Sequence, residues 1–198
     1  MAGNFEPLKG GGAAVALDEV EISILRSLGV QLLELIGPGQ APAMGEDPLA
    51  ALFAEGPSEA PTDPALARLL PDAYADPDAS GEQDDEQRAA SAEFRRYTEN
   101  DLRARKRDDA LALVRTLDSL NVTGEGGAVL KLTPQDSRHW LGALNDLRLT
   151  IGTRLEVSED EESEDLYRLP DGDPRKPMVM AYLWLGALQE TLVETLTP

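Results

Sequence analysis

The chain contains no cysteine among its 198 residues. That absence excludes disulfide bonds, thiolate nucleophiles and thiolate metal sites, and it suits a reducing compartment. Histidine is almost missing too. His139 is the only one, and no Ser-His-acid set can be assembled around a nucleophile turn, so hydrolase chemistry has no visible basis. The start, MAGNFEPLKGGG, lacks the basic residues and apolar run of a signal peptide. Charges interrupt the apolar segments well before the ~18 residues that a membrane span requires. The glycine runs lack the Lys-Ser/Thr or strand–GxGxxG–helix context of a nucleotide loop. These absences predict a soluble, cytoplasmic protein that is not an enzyme, has no membrane contact and needs no cofactor or metal.

Negative charge is what the chain has in excess. Its formal net charge is −19, from 18 basic and 37 acidic residues. Asp72 to Gln87 and Glu156 to Asp165 each hold seven acids and no base, and without those 14 charges the remainder carries −5. The acidity therefore belongs mainly to two segments. Both are expected to be mobile loops, because they cannot bury enough apolar area to offset their ordering entropy. A negative protein is repelled by phosphate backbones, so no direct nucleic-acid binding is expected.

The pattern predicts one mainly α domain (α+β) over residues 1–198, with a small two-stranded sheet. AAVAL, up to Leu17, reads as a strand, and Asp18 with Glu21 forms a capping box for a helix over about 19–36. A Pro/Gly-rich connection covers about 37–62. Asp63-Pro64 caps a short helix that stops at Pro71. Glu86 to Leu120 reads as one long helix with a break near Asn100-Asp101 as an option, and Ala128 to Leu132 as a second strand. Thr133 to Val157 is a capped helix with the stripe Trp140, Leu144, Leu147, Ile151 and Leu155, and with Leu149 on its other side. Met178 to Leu196 is the last helix. Its stripe reads Met178, Ala181, Leu185, Leu188, Leu192 and Leu196, with Val179 and Leu183 facing elsewhere.

Glycine turn, strand, cap and helix recur at an offset of 115 residues. Leu17 maps to Leu132, Leu25 to Trp140, Leu32 to Leu147 and Ile36 to Ile151. The expectation is that the two strands pair and carry one helix each; coincidence between two common patterns is the alternative.

Four groups of residues are candidates for function. Arg95, Arg96, Arg103, Arg105, Lys106 and Arg107 form a basic cluster, but Arg95, Glu99 and Arg103, and likewise Asp101, Arg105 and Asp109, stand four apart, as on a self-paired solvated face. Arg103, Lys106 and Arg107 remain as the least committed charges and the candidate partner-binding residues. Gln189 falls inside an apolar stripe and needs a buried partner, which Asn145 or Arg148 could supply. Those three are the buried polar candidates. Asp76 to Gly81 has the start of a calcium loop, but Gln83 and Gln87 stand where an apolar residue and a bidentate Glu belong, so the ligand set falls short. His139, beside Trp140 near a helix start, reads as a surface or packing residue.

DPALARLLPDAY (Asp63 to Tyr74), WLGALNDLRLTIGTRLEV (Trp140 to Val157) and YLWLGALQETLV (Tyr182 to Val193) resemble an actinobacterial domain-of-unknown-function family, the one that includes the actinomycete oxidative-stress regulator. The resemblance covers nearly the whole chain except the acidic loops. It implies a non-enzymatic regulator that acts with a stress sigma factor or RNA polymerase on transcription of sulfur and cysteine metabolism, in a gene neighbourhood with the Clp protease adaptor. The family's proposed switch uses a cysteine pair, which this chain does not have. The leading expectation is thus a transcription-associated regulator that binds a protein partner, with a homodimer as an option. The alternatives are a small-molecule-binding protein or enzyme with a pocket near Asn145, Arg148 and Gln189, and an adaptor in regulated proteolysis that docks through its acidic loops.

Overall fold

The computed structural model describes residues 3–38, 55–74, 85–120, 126–157 and 168–197. The described elements run β1 (Glu6–Pro7), β2 (Ala13–Leu17), α1 (Glu19–Ile36), α2 (Pro64–Leu69), α3 (Asp85–Asp118), β3 (Ala128–Leu132), α4 (Pro134–Arg154) and α5 (Lys176–Leu196). The architecture is mainly α with a minor sheet, as the periodicity predicts. The calcium-like loop Asp76 to Gly81, most of both acidic runs and most of the Pro/Gly-rich connection lie outside the described residues.

The two echoed units are partners in space. β2 pairs antiparallel with β3, with Ala13 opposite Leu132, Val15 opposite Leu130 and Leu17 opposite Ala128. Val15 and Leu130 are also each other's counterparts at the 115-residue offset, so this register places a local two-fold relation at the strand centre. Alternate side chains point inward, burying Ala13, Val15 and Leu17 on one strand and Leu130 and Leu132 on the other. Each strand hands over to its helix through a capping box, Asp18 with Glu21 and Thr133 with Asp136.

The glycines before the strands show the same relation. Gly12 and Gly127 have φ of 87° and 77°. A Cβ on Gly12 would lie 2.2 Å from the Leu132 carbonyl oxygen, and one on Gly127 would lie 2.2 Å from that of Leu17. Each glycine thus lets its own turn close over the end of the opposite strand. Gly127→Ala is expected to destabilise the fold by about 1–3 kcal/mol. Gly10→Ala, at φ 99° with nothing within 4 Å, should cost less. Equal urea midpoints for the two variants would contradict the close approach.

The sheet has three strands rather than two. β1 joins the free edge of β2, with Glu6 opposite Ala14. Two residues carry no periodicity of their own, which is why the sequence does not show this strand. It places Phe5 in the core, edge-on to Trp140 with ring centroids 5.9 Å apart.

α3 is continuous through Asn100-Asp101, so the optional break does not occur. It starts at Asp85, which makes the tail of the first acidic run helical. In its second half Ala110, Leu113, Val114 and Leu117 recur at helical spacing and are buried between α1 and α4, while Leu120, beyond the helix end, is partly buried. Gly29 of α1 permits the close crossing, since a Cβ there would lie 2.9 Å from both Leu113 and Val114 side chains. α4 is central: it contacts α1, α2, α3 and α5, its whole predicted stripe is buried, and Leu149 packs against the core on the other side. α5 rests on α4 and β1, burying Leu185, Leu188 and Leu192. Its first turn departs from expectation, with Val179 buried and Met178 exposed. Periodicity fixes the buried direction along the length of a helix, whereas the flanking chain decides it at an end.

Candidate functional site

Charged side chains meet where α3 crosses α4. Lys106 Nζ lies 2.6 Å from Asp146 Oδ1, and the Asp146 side chain is only 3% exposed. Burial raises the Asp146 pKa above the ordinary carboxylate value, and nearby Asp109 pushes the same way, while Lys106 and the Asn145 amide pull it down. One turn away, Asp109 Oδ1 stands 2.7 Å from His139 Nδ1. Gly142 makes room for that carboxylate: a Cβ there would lie 2.3 Å from Asp109 Oδ2. The Trp140 indole donates to Thr116 Oγ1 at 2.8 Å, which ties the same two helices through the core.

On the far side of α4, Arg148 Nη1 donates to Gln189 Oε1 at 2.7 Å, joining α4 to α5. The expected partner of Gln189 is thus found, and it is Arg148. The guanidinium also sits 5.2 Å from the centroid of the Tyr182 ring, and the missing side chain of Gly186 leaves space for it. Asn145, expected among the buried polar residues, is instead exposed, because its position on α4 falls outside the faces covered by α3 and α5. It lines an open groove of about 1160 Å³ with Asp101, Arg105, Asp108, Arg138 and Gln189, and also a pocket of about 210 Å³ with Arg148 and Tyr182.

The cations expected to be least committed are tied into the fold. Arg103 Nη1 donates to the Ile36 carbonyl at 2.6 Å, and Arg107 Nη1 to the Gly37 carbonyl at 2.9 Å. α1 has no basic residue in its own last turn, so α3 supplies the positive charges that its carbonyl end favours. Lys106 is the partner of Asp146. The spacing of Arg95 and Glu99 reads as an exposed pair, yet these residues are 4% and 3% exposed. Arg95 pairs with Glu99 and also binds the Leu70 carbonyl at 3.0 Å and Asp72 at 2.7 Å, while Glu99 pairs with Arg103 as well. Burial works against the Arg95 charge, but Asp72 and Glu99 outweigh it and hold its pKa above the ordinary value. The i, i+4 pattern is the same for a solvated and a buried pair, so only the docking of α2 separates them.

The His139–Asp109 pair is invisible in the sequence, since its members lie 30 residues apart on different helices. With Nδ1 engaged, Nε2 is the ring nitrogen left for another contact. Among the described residues, no group of three or more His, Cys, Asp or Glu side chains is placed to hold a metal ion. No helix among them is long and apolar enough to cross a membrane.

The fold and the charged seam define a helical domain whose buried ions join its own helices. The chain belongs to the DUF2017 family, a domain of unknown function, whose model matches residues 2–196. The resemblance read from the three sequence segments therefore holds. A Mycobacterium leprae protein is 32% identical over 178 residues, covering 87% of this chain and 77% of that protein. Proteins of Mycobacterium bovis and Mycobacterium tuberculosis H37Rv are 35% identical over 142 residues, covering 70% of this chain and 60% of their own length. These relatives are named oxidative stress regulator AosR, the M. leprae protein provisionally. No solved structure matches the chain.

Proposed function

We propose that this chain is a non-enzymatic, cytoplasmic regulator of stress-response transcription that binds a protein partner, a sigma factor or RNA polymerase, through the outer face of α5. The observation that carries the reading is the composition of that helix against its position. From Met178 to Gln189 it contains no charged residue, yet only one side of it is buried. Met180 and Leu183, one turn apart, are 55% and 41% exposed, and Met178 and Val193 are exposed as well. A helix that is apolar on most sides is stable in water only when those sides are covered, and methionine suits a face that adapts to a partner. The relatives' names supply the regulatory class.

This surface replaces the cation set in the proposal, because Arg103, Lys106 and Arg107 are already engaged within the fold. The double variant Met180→Glu, Leu183→Glu removes only exposed apolar contacts. It is expected to keep its urea midpoint and to lose at least tenfold in affinity for purified RNA polymerase holoenzyme, on the order of the 1.4 kcal/mol that a factor of ten represents. Undiminished binding would contradict the assignment of the face. A wild-type chain that forms a stable dimer through this helix and ignores the polymerase would make a second copy the partner.

A further inference from the structure

A cleft of about 200 Å³ opens between the end of α2 and the first half of α3. Its walls are apolar: Leu70, Pro71, Ala73, Phe94 and Leu102. Phe94 is itself held edge-on by Tyr74, with ring centroids 6.1 Å apart. Ser91 and Arg95 also line the cleft. They stand four apart on α3, hence on one side of it, and are 3% and 4% exposed.

The polar atoms there are unevenly used. Arg95 commits Nη1 to Glu99 and Nη2 to Asp72 and the Leu70 carbonyl. Its Nε–H, together with the Ser91 hydroxyl, is shielded from solvent and has no hydrogen-bond partner among the described residues. The Thr98 hydroxyl, which lines the same cleft, donates to the Phe94 carbonyl at 2.8 Å and bonds to neither of them. Buried donors without partners are rare in folded chains. Two of them beside an apolar cleft form the arrangement by which small-molecule pockets orient a ligand.

The same residues specify the ligand. Arg95 and Arg103 are balanced by Asp72 and Glu99, so the cleft offers no unmatched charge and disfavours an ionic guest. Arg95 Nε–H can only donate, and the serine hydroxyl can donate or accept, so the guest must bring an acceptor oxygen. An apolar cavity of about 150 Å³ accommodates benzene, so this volume suits one ring with one small substituent. We propose that the cleft binds a neutral, single-ring molecule carrying an amide-like carbonyl, with the ring against Phe94 and Leu102 and the carbonyl oxygen accepting from Arg95 and Ser91. This inference does not depend on the partner proposed for α5.

The test is an NMR titration of the full chain with benzamide, with toluene as the control lacking an acceptor and benzoate as the charged control. Benzamide is expected to saturate, with shifts confined to residues 70–73 and 91–102. It should bind about tenfold more tightly than either control, the scale of a hydrogen bond from a charged donor. Ser91→Ala removes a hydroxyl that has no protein partner, so the variant should fold normally, weaken benzamide several-fold and leave toluene unaffected. Three results would overturn the proposal: no saturable shift, toluene binding as tightly as benzamide, or a benzamide affinity that Ser91→Ala leaves unchanged. No polymerase is present in this assay, so its failure leaves the α5 reading standing.

Discussion

Lys106→Met is expected to lower the unfolding free energy by about 3–5 kcal/mol, the range for removing one member of a buried ion pair. The substitution keeps the apolar stem and deletes the ammonium. Asp146 is then left as a buried carboxylate with Asp109 nearby and its ion-pair partner gone. The double variant Lys106→Met, Asp146→Leu should regain most of the loss, because both desolvated charges are gone. The pH dependence separates this from a simple packing defect. Burial already raises the folded-state pKa of Asp146 above its unfolded value, so the folded protein holds that proton more tightly. The associated stability is present below the unfolded pKa and is lost as pH rises through the folded one. Losing Lys106 raises that pKa further, so the deficit of the variant should shrink as pH falls into the carboxylate range. Urea midpoints measured across pH check this, and a deficit that stays constant down to acid would show that Asp146 is not the group left stranded.

Trp140→Ala should cost about 3–5 kcal/mol, towards the upper end of that range. The side chain is fully buried, stacks edge-on with Phe5, and sits where the sheet, α3 and α4 converge. Its indole N–H is also lost as a donor to Thr116, although the Thr116 hydroxyl keeps its own bonds to the Ala112 and Leu113 carbonyls, so no orphan is created on that side. Trp140→Phe should therefore cost much less, about 1 kcal/mol for the hydrogen bond plus a small volume loss. Thermal unfolding of both variants measures the difference, and near-equal midpoints would mean that the ring volume at position 140 is not what closes the core.

How much of this was legible depends on how local each signal is. The strand–cap–helix echo could be read because every part of it, from Gly12 through Asp18 to Leu25 and from Gly127 through Thr133 to Trp140, is a short-range pattern with its own steric or hydrogen-bonding cause. The Arg148–Gln189 bond was within reach for a related reason. A glutamine on an apolar stripe must be satisfied, and few groups could meet it. The roles of Arg95, Arg103 and Arg107 were not legible. Each is set by a carbonyl or carboxylate brought in from elsewhere: Leu70 and Asp72 for Arg95, Ile36 for Arg103 and Gly37 for Arg107. Helical spacing records which charges can pair along α3 and is silent on what docks over them. His139 with Asp109, and the Ser91–Arg95 cleft, are likewise products of packing between segments far apart in the chain.

The partner-binding role of α5 is tested most directly by placing a photo-crosslinking amino acid at Leu183, with a second chain carrying it at Arg138 in the α3–α4 groove, and identifying the adducts formed with purified RNA polymerase holoenzyme by mass spectrometry. The predicted result is a sigma-factor or polymerase adduct from position 183 and none from position 138. Adducts from position 138 alone, or from neither position at concentrations where binding is saturated, would contradict the reading of α5 as the docking helix.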